Sequence, residues 1–390
     1  MVKARRKRYA YNMSEHRRLS RRQALLVAMS LPLDASSGKQ RGAVAFHYAA
    51  AFSPRNLAWY TRFEILVTGA ILGLEQSQRL SRTGTKLVAY EWTAGFYPGD
   101  DVSSPVSWQK QVESRSKDWL LTSTPIPGGA AEARKTAQWY DFGSAALLEE
   151  RARMLAGRLA ESAYHGFFFD TPGFEHLPPQ AQAAFKQRHP DLDYNERVGL
   201  FLATLRRALP AGKIIFLNQG YRHAAHLLPH ADMDLSESSF TYLDKGGTTR
   251  FRPWHDPAKP WESIRTPIYD LVMPAARKFP KVRMVHVNYA AGAPEQIRRA
   301  QRYANVCAAI LGHQAYLIVP SAPDAEDDPI YFSDLGAPED YWREEPSGVV
   351  WRRFQRGIAA INGCDRPAAV PSLGLSLPEP LQGYIFSIKG

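Results

Sequence analysis

Two carboxylates close apolar runs in this chain. Asp170 ends "GFFFD" (166–170) and Glu237 ends "MDLSE" (233–237). A charge at the end of a water-averse strand is either paired within the fold or held where the strand leaves the core. Side chains alternate along a strand, so Asp170 shares a face with Phe168, and Glu237 with Leu235 and Met233. If both faces point inward, the two carboxyls emerge at one rim. Cleavage of a glycosidic bond needs one acid to protonate the leaving oxygen and a second carboxylate to attack or to activate water. Local hydrogen bonding is the alternative at each position.

Other apolar runs also end on polar residues: Tyr48, Glu91, Asn218 with Gln219, and Asn288 with Tyr289. Together they are candidates for the lining of a substrate pocket. Glu91, in "YEWT", serves equally as a third rim acid or as the partner of an arginine. Two connections, 94–144 and 241–266, are too long for simple turns and rich in aromatics. The first carries Trp108, Trp119 and Trp139; the second carries Tyr242, Trp254 and Trp261. Exposed tryptophans suit the flat faces of sugar rings, though the packing of a loop onto its own barrel uses the same residues. His47 and His286, inside apolar runs, read as core histidines. Asp191 and Asp193 precede a helix and read as caps; Asp232 and Asp234 read as local structural acids. His223, His226 and His230 have no acid beside them, and Cys307 and Cys364 have no ligand spacing. No metal and no cofactor is expected, and no Gly-x-Ser-x-Gly elbow suggests a serine hydrolase.

Eight apolar runs position these residues: 43–48, 64–70, 86–93, 166–171, 213–220, 233–240, 282–289 and 315–321. Helical periodicity separates them, as at 145–163, 196–210 and 294–312. Continuous apolar strands alternating with helices are what a parallel sheet covered by helices requires. Eight in about 280 residues is the size of a (β/α)8 TIM barrel, whose active sites lie at the C-terminal strand ends. A doubly wound open sheet is the alternative, weakened because no run leads into a Gly-x-Gly phosphate loop. The barrel is expected over 42–325. Alternating runs at 349–354, 357–361 and 383–388 predict a small β appendage over 326–390.

Charge places the remaining segment. The chain of 390 residues carries +11, but residues 1–41 hold eleven Lys/Arg against Glu15 and Asp34, a net of +9 that leaves only +2 for the body. A nearly neutral body lacks the footprint of nucleic-acid binding. The leader has a basic region, a short apolar run from Ala24 to Leu33 and then small residues, the layout of an export signal. Within it "SRRQALL" resembles a twin-arginine signal, with Arg21 and Arg22 as the pair. Export to the periplasm or beyond, a monomer, and no membrane span in the mature domain are expected.

Several stretches resemble bacterial glycoside hydrolases of the family 114 type, the endo-α-1,4-polygalactosaminidases, and related polysaccharide hydrolases. "YHGFFFDT" is similar to their fourth strand, "ADMDLSESSF" to their sixth, and "DLGAPED…GVVWRRFQRGIAAIN" to the end of some of these barrels. The likeness covers roughly 42–365. It implies a TIM barrel, a polysaccharide substrate that includes aminosugar polymers, and a retaining mechanism with Asp170 as nucleophile and Glu237 as general acid/base. Thr171-Pro172 departs from the family, which often places further polar residues there. A barrel that binds carbohydrate without cleaving it, and a lyase or isomerase using Glu91 or a histidine as base, are the alternative readings.

Overall fold

The computed structural model describes residues 43–47, 54–69, 72, 74–100, 104–125, 136–319 and 333–387. The leader and Tyr48 lie outside the described residues. Eight strands form one parallel sheet: β1 (Val44–His47), β2 (Ile65–Thr68), β3 (Lys86–Trp92), β4 (Tyr164–Asp170), β5 (Ile214–Asn218), β6 (Met233–Glu237), β7 (Arg283–Tyr289) and β8 (Gln314–Ile318). Each pairs with its sequence neighbour in parallel register. The first and last strands meet at the seam, where the Phe46 and Tyr316 rings lie 6.1 Å apart. The fold is a (β/α)8 barrel.

Why "GFFFD" carries three phenylalanines is visible in the packing. Barrel strands are buried on both faces, so neither face can be polar along most of the strand. Phe168 points inward and meets Phe216 and Phe46, with ring centroids 5.1 and 5.8 Å away. These rings, with Tyr316, fill the barrel centre and form a floor under its C-terminal mouth. Phe169 points outward onto Phe201 of the helix Tyr194–Ala208, 5.8 Å between centroids. Gly166 starts the run because β5 passes too close for a side chain: a Cβ there would lie 2.1 Å from the carbonyl oxygen of Ile214.

The covering helices start where their sequences offer caps. Ser144 accepts from Leu147 N at the head of Ala145–Ala160, and Asp193 accepts from Glu196 N at the head of Tyr194–Ala208. The connection after β3 folds into its own three-stranded sheet (Gly95–Phe96, Leu120–Pro125, Thr136–Tyr140) with a helix Val106–Ser114. Trp108, Trp119 and Trp139 are buried within it, so they pack this insertion and offer no sugar platform. Past β8, a four-stranded sheet (Arg343–Glu344, Val349–Phe354, Gly357–Asn362, Gln382–Ser387) lies against the helix Pro294–Leu311. Val350, Phe354, Ala359 and Ile361 join the barrel core, while Trp351, Ile358, Ala360 and Phe386 close a smaller core against the hairpin 368–377. Among the described residues no helix is long and apolar enough to cross a membrane.

Candidate active site

The C-terminal ends of β3 to β7 enclose a cavity of about 210 Å³ lined by Tyr90, Phe168, Asp170, Asn218, Leu235, Glu237, Val287 and Tyr289. Parity explains the list. Phe168 and Asp170, Leu235 and Glu237, and Val287 and Tyr289 are pairs two apart on their strands, all facing inward. The apolar member of each pair forms the floor and the polar member reaches the mouth.

One hydrogen-bonded chain joins the polar members. Tyr90 OH donates to Asp170 Oδ2 (2.8 Å), and Asn218 Nδ2 donates to Asp170 Oδ1 (2.7 Å). The same amide nitrogen donates to Glu237 Oε2 at 3.3 Å, and Tyr289 OH donates to Glu237 Oε1 at 2.6 Å. Each carboxylate therefore has a phenol on one oxygen and a shared amide on the other. Because Asn218 bridges them, those two carboxyl oxygens lie no further apart than the sum of its two contacts, 6.0 Å. Burial, reinforced by Glu237 itself and by Asp170, pushes the Tyr289 phenol far above its usual range, so it remains a donor. Asp170 is half-buried, whereas Glu237 is exposed to the mouth.

The backbone is bent at these positions. Thr171, Gln219 and Ser238, which directly follow Asp170, Asn218 and Glu237, have φ of 49°, 60° and 55°. Left-handed backbone costs a non-glycine residue about 1 kcal/mol or more, and such outliers concentrate at functional sites. Three of the four such residues among the described positions stand immediately beyond the three bridged side chains. The turns are fixed by neighbours: Trp92 Nε1 donates to Thr171 Oγ1 (2.8 Å), Gln219 N to Leu235 O (2.8 Å) and Ser238 N to Val287 O (2.7 Å). Thr171, where the family pattern is broken, thus anchors the turn to β3.

Several expected pocket residues stand elsewhere. Glu91 faces outward and is fully buried, with Arg151 Nη2 on Oε1 (3.0 Å) and Arg158 Nη1 on Oε2 (3.1 Å), so it clamps β3 to the helix Ala145–Ala160 and is no rim acid. Asn288 also faces outward, its Oδ1 accepting from Phe240 N (2.9 Å) and Thr241 N (3.1 Å) to hold the start of the loop after β6. Gln219 sits in its turn with Arg222 Nε on Oε1 (2.6 Å), and Tyr242 lies under the Arg252 guanidinium, 4.6 Å from its ring centroid. Trp254 is buried in the main core beside Gly363, so it ties the loop after β6 to the C-terminal sheet and offers no open face. Trp261 is 55% exposed and is not among the residues that line the cavity.

Asn218, Tyr289 and the two acids do come together; Tyr90 is the residue that sequence reasoning missed. Its signal was the strand parity of "KLVAYEWT". Val88, Tyr90 and Trp92 share a face, but with Leu87 and Ala89 equally apolar nothing marks which face is inward. His47 and His286 are held within the fold: His47 contacts Tyr60 OH (3.1 Å), and His286 contacts Ser239 Oγ (3.0 Å) and His313 (2.9 Å). His223 meets Glu175 (2.7 Å), tying the loops after β4 and β5. Neither Glu91 nor His47 nor His286 lines the cavity, so none of these three stands where a lyase or isomerase base would be needed. Among the described residues no three His, Cys, Asp or Glu gather as a metal site.

Solved structures of the same barrel exist. The chain is similar to the glycoside hydrolase domain of PelA from Pseudomonas aeruginosa, with 21% identity over 72% of this chain and 95% of that one and a TM-score of 0.50. A variant of that domain matches with a TM-score of 0.49, again at 21% identity over 72% and 95%. An α-amylase from H. orenii matches at 8% identity over 84% of this chain and 90% of its own, TM-score 0.49. No protein-family model and no curated protein matches the chain. Likeness at 21% identity shows the fold, a (β/α)8 barrel, and leaves the chemistry to be argued from the site.

Proposed function

We propose that this chain is an O-glycosyl hydrolase that cleaves a polysaccharide with Asp170 and Glu237 as its two carboxylates. The observation that carries the reading is their bridging by one amide at the mouth of a polar-rimmed barrel. Retaining glycosidases hold their carboxyls about 5–5.5 Å apart and inverting ones about 6.5–9.5 Å. Asn218 bounds only the nearer pair of oxygens, at 6.0 Å, so retention rests on the family resemblance and not on this distance. Asp170, the more buried of the two, is the group suited to attack the anomeric carbon. Glu237, exposed at the mouth, is where a leaving oxygen and then a water can collect and return a proton. The likeness of fold to a glycoside hydrolase domain is in keeping with this reading, and the sequence resemblance extends it to aminosugar polymers.

The test is release of reducing ends from purified bacterial exopolysaccharides and aminosugar polymers, with the anomer of the first product followed by NMR. Release abolished by Asp170→Asn, with the anomeric configuration kept, is expected. Saturable binding of a polymer with no release would make the barrel a carbohydrate-binding protein, and an inverted first product would reassign Asp170 as a base. We also propose that residues 1–41 direct export through the twin-arginine route. Replacing Arg21 and Arg22 together by lysine should then trap precursor in the cytoplasm; unchanged export would remove that reading.

A further inference from the structure

A second groove, with no lining residue in common with the catalytic cavity, lies where the barrel meets the C-terminal sheet and has a volume of about 490 Å³. It is built from the connections that follow β6 and β7, the strands that carry Glu237 and Tyr289. Phe251 comes from the hairpin after β6, Arg298, Arg299 and Arg302 from the first turns of the helix Pro294–Leu311, and Glu379 and Gln382 from the approach to the last strand.

The three arginines differ in what already holds them. Arg298 is paired with Glu295 (3.0 Å) at the surface, an interaction of little energetic weight. Arg299 lies with its guanidinium 4.9 Å from the Phe251 ring centroid and donates through Nη2 to Pro380 O, which locks its plane; its buried Nε has no partner. Arg302 is exposed and has no side-chain partner among the described residues, one turn from Arg298 on the same helix face. Arg302 therefore offers its guanidinium fork to the groove, whose lining also includes Glu295 and Gln296. Glu379 and the nearly buried Gln382 line the groove as well.

We infer that this groove is a second binding site, for a sugar unit bearing a carboxylate. The exposed guanidinium of Arg302 matches a planar anion through paired N–H donors, and the stacked Arg299 adds positive charge beside it. The carboxylate of Glu379 can take hydroxyls of the same ring, and its charge disfavours a bare multivalent anion more than a single carboxylate. The identification of the ligand as a sugar rests on the glycosidase reading; the anion preference does not.

The full chain carrying Asp170→Asn, which keeps the ligand intact, is titrated by calorimetry with hexagalacturonate, maltohexaose and inorganic phosphate. Hexagalacturonate is expected to bind saturably at one site, more weakly in high salt. Replacing the exposed Arg302 by Gln should weaken it about tenfold, the loss of one charge-assisted contact. Maltohexaose should bind at least tenfold more weakly, and phosphate should displace the hexamer only in large excess. No saturable binding, equal affinity in the Arg302→Gln chain, maltohexaose bound as tightly, or displacement by equimolar phosphate would each overturn the proposal. Failure of reducing-end release from every polymer would sink the glycosidase reading while leaving this binding result standing.

Discussion

Four acids stand on β3, β4 and β6, and the face of the strand that each occupies separates their roles. Glu91, Phe169, Leu217 and Asp234 form one row across β3 to β6, each opposite the next, with side chains pointing out toward the helices. Asp170 and Glu237 belong to the alternate positions and point in. The outward acids are buried and consumed by structure: Glu91 by two arginines, Asp234 by the N–H groups of Gly220 (2.8 Å) and Tyr221 (2.7 Å). The inward acids meet only uncharged donors, two phenols and an amide, which orient them without an ion pair. An acid that holds a barrel together and an acid that does chemistry are told apart here by face and by partner.

The largest expected effect tests the inward pair. Asp170→Asn and Glu237→Gln should each lower turnover on the order of a thousandfold or more, since each removes one of two proton or bond-forming roles. Melting should change little, because neither side chain is part of the apolar core. Glu91→Gln should do the reverse. It strands Arg151, which is wholly buried, and breaking a buried pair costs about 3–5 kcal/mol. Urea unfolding should register that loss while the folded fraction keeps its turnover. A Glu91 variant that is stable but inactive would break the comparison.

Titration separates the outward acids further. Burial raises Asp234 to about 7 against the lowering effect of the Gly220, Tyr221 and Leu235 N–H groups. The folded chain then holds this proton more tightly than the unfolded chain, where an aspartate titrates near ~4. Its contribution to stability is therefore full below about pH 4 and declines as pH rises to 7. The buried histidines act in the opposite sense. Burial lowers both His286 and His313, the latter to about 4, so stability is full above about pH 6.5 and declines toward pH 4 as the unfolded chain gains protons. Asp234→Asn removes only the first contribution, so stability should rise more steeply from pH 4 to 7, by up to about 4 kcal/mol across that window. Urea midpoints measured through the range would show it. An unchanged slope would mean that Asp234 does not take up the proton.

Much of this architecture was legible in the residues. The eight runs gave the eight strands because parallel barrel strands are apolar throughout and bounded by turn residues, and the alternation within "GFFFD" and "MDLSE" set both acids on the faces they occupy. The same property hid the rest. Where both faces are apolar, as in "KLVAYEWT", no polar alternation marks the inner one, and a slip of one residue exchanges Tyr90 for Glu91. Asn288 was misplaced for the same reason, one position from Tyr289. Trp254 was misread because its burial depends on Gly363, more than a hundred residues away, where the C-terminal sheet covers the loop. Long-range cover of this kind leaves no local periodicity to read.

The smallest expected effect concerns the phenols that distinguish the inward pair. Tyr90 and Tyr289 each donate one hydrogen bond to a carboxylate, at 2.8 and 2.6 Å, while Asn218 holds the other oxygen of each acid. Removing one phenolic hydroxyl therefore loosens an acid without releasing it. Tyr90→Phe and Tyr289→Phe should each lower kcat about tenfold, the worth of one hydrogen bond to a charged group, far short of the loss on removing the carboxyl itself. A loss in either variant as large as that on removing the carboxyl would mean that the phenol itself takes part in the reaction, and an unchanged kcat in both would mean that Asn218 alone holds the pair.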